Sequence, residues 1–267
     1  MTFIETATPI RGITAATEAE WAVRRELAAL YRLIAHFGMT DMIDTHISAR
    51  LPGQSGEPPA FLINRYGLLF HEMCASDLVK IDYEGRVIDE RAAADPGRFR
   101  VNAAGFTIHS AIHRARHDLC FVIHTHTANG IAVAAQAEGL LPISQHALKF
   151  YNRIGYHDYE GIALHHAERE RLVADFGNHK AMILRNHGLI VGGKTAAEAF
   201  HEIYFLERAC QAQIQAMSGG ARLLVPSREV CERTAQQFHR EESVEIMNAA
   251  WQAAMRLIDN PASDFRK

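Results

Sequence analysis

The sequence predicts a single α/β domain. Segments of helical periodicity alternate with short β-type runs, two helix starts are marked by capping boxes, and 267 residues is a length that one buried core can serve. We expect one domain over 1–267, with a core at about 18–217 and a helical C-terminal extension at about 227–260.

Thr17-Glu18-Ala19-Glu20 is the first capping box, and Trp21, Leu27, Leu30 and Ile34 recur behind it at helical spacing until Gly38 ends the helix. Alternation in His46–Leu51, a turn-rich segment from Pro52 to Pro59 and the apolar run Phe61-Leu62-Ile63 predict two antiparallel strands. Asp77 to Asp82 reads as a short connection and Arg86-Val87-Ile88 as another strand, with Glu84-Gly85 as the turn between them. The stripe Ala104, Ile108, Ala111, Ile112, Ala115 predicts a helix over Asn102 to Arg116, leading into a buried strand that ends at His124-Thr125.

A short helix is expected over Asn129 to Glu138, then a loop-rich region from Gly139 to Glu160. Glu168 to Phe176 predicts a helix, Ala181 to Arg185 and Leu189 to Val191 predict strands flanking Asn186-His187-Gly188, and the capping box Thr195-Ala196-Ala197-Glu198 opens a long helix to about Met217. Helices near Arg228 to His239 and Ser243 to Ile258 complete the chain.

With 48% hydrophobic and 22% charged residues and a net charge of -3, the composition is that of an ordinary soluble protein, which argues against a nucleic-acid partner. Membrane spans need roughly 18 apolar residues in a row, and no run approaches that; the start, MTFIETATPIRG, lacks the apolar centre of a signal peptide. A cytoplasmic location with no membrane partner is the expectation. Cys74, Cys120, Cys210 and Cys231 form no C-x-x-C pair, so neither a zinc knuckle nor a disulfide framework is expected.

Sixteen histidines make histidine the informative residue. His124 and His126 lie two apart at a strand end, so both rings project from one face about 6.5 to 7 Å apart along the strand and can close on one cation. His187, at a tight connection between two apolar strands, is the strongest candidate for a third ligand, with Gly188 permitting the turn. Three imidazoles with open positions is the pattern of a catalytic rather than a structural site, and zinc, manganese, iron and cobalt all tolerate it. His109 and His113, i and i+4 on one helix, form a competing pair. The bland alternative is that the His-x-His is two polar residues at a strand end.

The segments HSAIHRARHDLCFVIHTHT, RNHGLIVGG and TAAEAFHEIYFLERACQAQ, in this order, resemble the class II aldolase and adducin family from about Glu18 to Met217. The resemblance implies a three-layer α/β/α domain with a mostly antiparallel central sheet, a homotetramer with sites near subunit interfaces, and a divalent metal ion, zinc foremost, on His124, His126 and His187. The family's sugar-phosphate aldolases carry a Ser-Ser-Glu motif whose serines bind phosphate and whose glutamate binds metal and moves protons. At the corresponding place this chain has Ala103, Ala104 and Gly105. A phosphorylated substrate and a glutamate base are thereby disfavoured.

By the same correspondence the aldolases' first-strand asparagine falls at His46, their Thr-Gly pair at Tyr66-Gly67, and their subunit-crossing acid tyrosine at His146. With Arg65 beside them, His46, Tyr66 and Gly67 are expected to bind a substrate carboxylate, and His146 to act as the acid. Each has a bland reading: Arg65 as a solvated charge, Tyr66 as packing, His46 as a satisfied strand residue. Glu72 is expected to serve a surface helix start, and Asp118, Asp158 and Glu160 are candidates to orient the histidines.

Decarboxylation needs no base to make an enolate, because loss of carbon dioxide generates it, so the expected activity is a metal-dependent lyase on an unphosphorylated carbonyl acid, with decarboxylation favoured over aldol cleavage. Two other readings stay open. One is a non-haem iron oxygenase or oxidative decarboxylase; the other is a non-catalytic binding module, since VNAAGFTIHSAIHRAR looks closer to adducin than to the sugar-phosphate aldolases.

Overall fold

A computed structural model describes residues 3–4, 16–53, 58–93, 95–162, 168–240 and 242–267. In chain order its strands and helices are β1 (Phe3–Ile4), α1 (Glu18–His36), β2 (His46–Arg50), β3 (Ala60–Asn64), β4 (Leu78–Asp82), β5 (Val101–Asn102), α2 (Ala103–Ala115), β6 (Phe121–Thr125), α3 (Ala128–Ala134), α4 (Gln145–Leu148), β7 (Ile154–His157), α5 (Glu168–Phe176), β8 (Ala181–Leu184), β9 (Gly188–Gly193), α6 (Ala196–Ser218), α7 (Arg228–Phe238) and α8 (Ser243–Ile258). Seven strands form one sheet in the order β4-β3-β2-β6-β9-β8-β7, antiparallel throughout except for the β7/β8 pair, and β1 and β5 form a separate two-stranded ribbon.

Helices cover both faces, which is the expected three-layer α/β/α arrangement. Ile47 and Ala49 of β2, Phe121 and Ile123 of β6, and Leu189 and Val191 of β9 point to one face and pack with Leu27, Leu30 and Ile34 of α1 and Ile203 and Leu206 of α6. Val122, Met182, Leu184 and Ile190 point to the other face, against Ile108 and Ile112 of α2 and Leu172 and Phe176 of α5. Because strand side chains alternate, His46 and Ser48 of β2 and His124 of β6 also face the α2 side.

Several expectations hold at atomic detail. Thr17 caps α1 by accepting from the Glu20 N–H at 3.2 Å, Thr195 caps α6 by accepting from Glu198 N at 3.2 Å, and Gly38 adopts φ 68° after the Phe37 C-cap of α1. Two strands differ. The fourth strand is Leu78–Asp82, and Arg86–Ile88 contributes only a bridge from Val87 to Ile81. Lys80 and Asp82 obscured it: both are buried, Lys80 Nζ lying 3.2 Å from Glu20 and Asp82 accepting from the Glu84 and Arg86 N–H groups at 3.0 and 2.8 Å. The loop-rich region also contains β7, whose inward positions are Gly155 and His157, so hydrophobic alternation gave no signal there. Residues 54–57 of the expected turn segment lie outside the described residues. No helix among the described residues is long and apolar enough to cross a membrane.

Candidate metal centre

The sheet register brings the site together. His46 pairs with His124 across β2 and β6, and Thr125 pairs with Leu189 across β6 and β9, so that His126 comes level with Gly188. The β8–β9 hairpin turns through Arg185-Asn186-His187, with Asn186 at φ 55°, a left-handed conformation asparagine tolerates. The turn is held by His187 N donating to Leu184 O and Asn186 N donating to Ala134 O, both at 3.1 Å. Gly188 is required by close approach: a Cβ there would lie 2.4 Å from the Thr125 carbonyl oxygen and 3.1 Å from the His126 ring. On the other side of His126, Thr127 caps α3 and donates a short hydrogen bond to Glu207 of α6, which fixes the strand-to-helix junction.

The ring centroids of His124 and His126 are 4.6 Å apart, and each lies 4.8 Å from that of His187. One nitrogen from each falls within 4.8 Å of the others, and this is the one such grouping of potential ligands among the described residues. Hydrogen-bond partners settle which nitrogens are available. His124 Nδ1 is 2.9 Å from the Leu189 carbonyl oxygen and His126 Nδ1 is 3.1 Å from Asp41 Oδ2, and since neither oxygen donates, both Nδ1 atoms carry the proton. The two Nε2 atoms then face each other at 2.8 Å with lone pair towards lone pair. Only a proton or a cation between them relieves that contact, so these residues fit a divalent ion. The oriented Nδ1–H groups are what ligating histidines ordinarily show.

Burial pushes the His124 ring well below the usual histidine range, with the neighbouring His187, His46 and His126 adding to the effect. His187 is pushed down to about 4, first by burial and then by His126 and His157. Neutral imidazoles are the form that binds a cation.

Beneath the triad lies a second histidine group. His46 Nδ1 is 2.7 Å from His109 Nε2, His109 Nδ1 makes a short hydrogen bond with Ser48 Oγ, and Ser48 Oγ is 2.7 Å from His113 Nε2. The pair His109 and His113 is therefore absorbed in hydrogen bonds to β2 rather than offered to a metal. All four groups are buried, and burial holds His46 and His109 well below the histidine range and His113 at about 3. Arg50, next in the alternation after His46 and Ser48, bonds the His113 and Arg116 carbonyls. A polar row at every second residue of a strand, answered by i, i+4 histidines on a helix, was the sequence signal for this pairing.

The other expected site residues are distributed as follows. Arg65 follows directly after β3, which pairs with β2 through Ser48 opposite Ile63. Arg65 Nη2 lies 3.5 Å from Asp77, while its Nε is buried without a hydrogen-bond partner. Tyr66 donates to Asp44 Oδ1 at 3.3 Å, and Gly67 turns the chain at φ 95°. His146 lies in α4 with its ring 5.0 Å from Phe205, and none of its described contacts is with the triad. Glu72 caps a turn by accepting from Leu69 N at 2.9 Å and begins no helix.

Asp118 and Glu160 are engaged with Arg116 and Arg171, so neither orients a triad histidine through the contacts described. The carboxylate on His126 is instead Asp41, a loop residue 85 positions away in sequence that no spacing rule could have indicated. Two clefts of about 620 and 610 Å³ lie elsewhere, lined among others by Arg32, His36 and Leu69 and by Ser144, His201 and Phe205. Within the triad, His126 and His187 are half-buried and His124 is fully buried.

The profile of the Class II Aldolase and Adducin N-terminal domain matches residues 25–214. This chain belongs to that family. It is 49% identical to a crystal structure described as an aldolase II superfamily protein from Pseudomonas syringae, with a TM-score of 0.86 and 94% of this chain and 98% of that one covered. A Caulobacter vibrioides protein, provisionally named an aldolase class 2 protein, is 47% identical over 249 residues, 93% of either chain. Alpha-adducin of Rattus norvegicus is 38% identical over 255 residues, covering 91% of this chain and 34% of adducin.

Proposed function

We propose that this chain is a metal-dependent lyase that cleaves a C–C bond of an unphosphorylated carbonyl acid through an enolate, by decarboxylation in preference to aldol cleavage. The observation that carries the proposal is the facing Nε2 pair of His124 and His126 with His187 beside it, combined with Gly105 where a carboxylate base would stand. When bound, a divalent ion, zinc foremost, would supply Lewis acidity towards a substrate oxygen.

The chain's own residues divide the remaining work. Arg65, whose buried Nε has no hydrogen-bond partner, would bind the carboxylate, and Tyr66 would turn its hydroxyl hydrogen from Asp44 to join it. As the C–C bond to the carboxylate breaks, its electron pair remains on the substrate as the enolate and carbon dioxide leaves; no residue has to remove a proton, so Gly105 is no obstacle. A proton is then delivered to the enolate carbon, the role assigned to His146. Its ring lies 5.0 Å from Phe205 and none of its described contacts is with its own triad, so this role requires the triad of a neighbouring subunit in the homotetramer that the family resemblance implies.

The test is carbon dioxide release from a panel of keto acids and hydroxylated aromatic acids, with protein stripped by chelator and reloaded with zinc or manganese, in air and without oxygen. Metal-restored, oxygen-independent release is expected. Turnover of phosphorylated sugars alone would refute the substrate class, and oxygen uptake with iron would favour an oxygenase. The kinship with alpha-adducin favours a second reading, a binding module; failure to take up any metal would support it.

A further inference from the structure

The three rings of the triad are not held alike. His124 and His126 each have a hydrogen-bond partner on the nitrogen turned away from the others, Leu189 O and Asp41, whereas the His187 ring makes no hydrogen bond to a described residue. Ligating histidines ordinarily give their second nitrogen to a carboxylate, a carbonyl or a water. The partner of His187 therefore has to be sought in what surrounds it.

Strand β7 lies directly beside the hairpin that carries His187. His157 pairs with Leu184 across β7 and β8, and its carbonyl accepts from the Arg185 N–H at 2.8 Å, two residues before His187. Helix α5 presents Glu168 and Asp175, seven residues apart on one face, to the two nitrogens of the His157 ring. Asp175 Oδ2 is 2.7 Å from Nδ1, a hydrogen bond that fixes the ring. Glu168 Oε1 is 3.6 Å from Nε2, too far for one.

His157 Nε2 is thus buried without a hydrogen-bond partner among the described residues, in a ring only 5% exposed, and Glu168 beside it is 7% exposed. Leaving such a group unmatched is costly. His157, Glu168 and His187 all line one small cavity of about 10 Å³, closed by Ile108 of α2 and by the loop at Asp158 and Tyr159. That is about the space one water requires, and a water needs two to four polar partners to stay.

We propose that a single water, bound by His157 Nε2 and Glu168 in this cavity, bonds the ring nitrogen of His187 that faces away from the triad and so holds His187 in place as the third ligand. His157 and Glu168 are positioning residues, and Asp175 positions His157. The role assigned to the water rests on the metal centre proposed above and not on the lyase chemistry. It gives His187 the counterpart of what Leu189 O and Asp41 give the other two rings.

An atomic-resolution crystal structure of the zinc-loaded full chain is expected to show one ordered water within hydrogen-bond distance of His157 Nε2, Glu168 and His187. An empty cavity, or zinc scattering inside it, overturns the proposal. If the water is present and the triad takes up no zinc, the metal reading fails while the hold on His187 stands. In solution, His157→Leu is expected to weaken zinc affinity about 10- to 100-fold in competition with a chromophoric chelator, and His157→Gln, whose amide can still bond the water, to recover most of it. Unchanged affinity in folded His157→Leu, even with lowered stability in urea, overturns the positioning role. Should His157→Leu not fold, Glu168→Leu is read in the same way.

Discussion

Two histidine groups lie at the same end of the sheet and differ in what their nitrogens face. In the outer group, His124 and His126 have spent their N–H groups on Leu189 O and Asp41, and their Nε2 atoms confront each other at 2.8 Å. In the inner group, His46, His109 and His113 alternate as donors and acceptors through one hydroxyl. The same residue type thus forms a candidate cation site where acceptors converge and a buried hydrogen-bonded column where the rings bond to one another through Ser48. The distinction lies in hydrogen bonding by the neighbours, not in residue spacing.

The comparison breaks first at His187. His187→Ala is expected to abolish ion binding while leaving the fold intact, because the ring is half-buried on a hairpin turn; retention of a full equivalent of zinc by elemental analysis would merge the two groups into one. Asp41→Asn sharpens it next, since loss of the carboxylate that orients His126 should weaken the ion's affinity about 10- to 100-fold, read by competition with a chromophoric chelator.

In the inner group the expected effects fall on stability instead. Ser48→Ala leaves buried imidazole nitrogens unpaired and should cost about 1–3 kcal/mol in urea denaturation of the apo-protein, with ion stoichiometry unchanged. Acidification gives a graded effect. His113 in the unfolded chain takes up a proton near pH 6.5, but in the folded chain only at about 3, so its contribution is complete above pH 6.5 and is lost as pH falls towards 3. Within that window stability should decline by about 1.4 kcal/mol per pH unit for this one group, measured by denaturation between pH 7 and 5.

How much of this was legible in the sequence follows the range of each interaction. Capped helices such as α1 and α6 carry their signals within a few residues, and the His-x-His strand end projects its rings by local geometry alone, so both could be read directly. Strand β4 escaped because Lys80 and Asp82 are buried by partners elsewhere in the fold, including Glu20 of α1. Asp41 escaped because its contact with His126 is made only once the loop before β2 folds over the end of β6. His109 and His113 were visible as a pair but ambiguous, because i, i+4 spacing suits a metal and a buried hydrogen-bond column equally. Their partner Ser48, 61 and 65 residues away, decides between them.

X-ray absorption spectroscopy of the protein loaded with one equivalent of zinc tests the central claim most directly. The account predicts one tightly held ion per chain with three imidazole nitrogens at about 2.0–2.1 Å, and loss of that signature in His187→Ala. An ion that shows no imidazole scattering, or one whose histidine environment survives the His187 substitution and disappears on replacing His109, would contradict it.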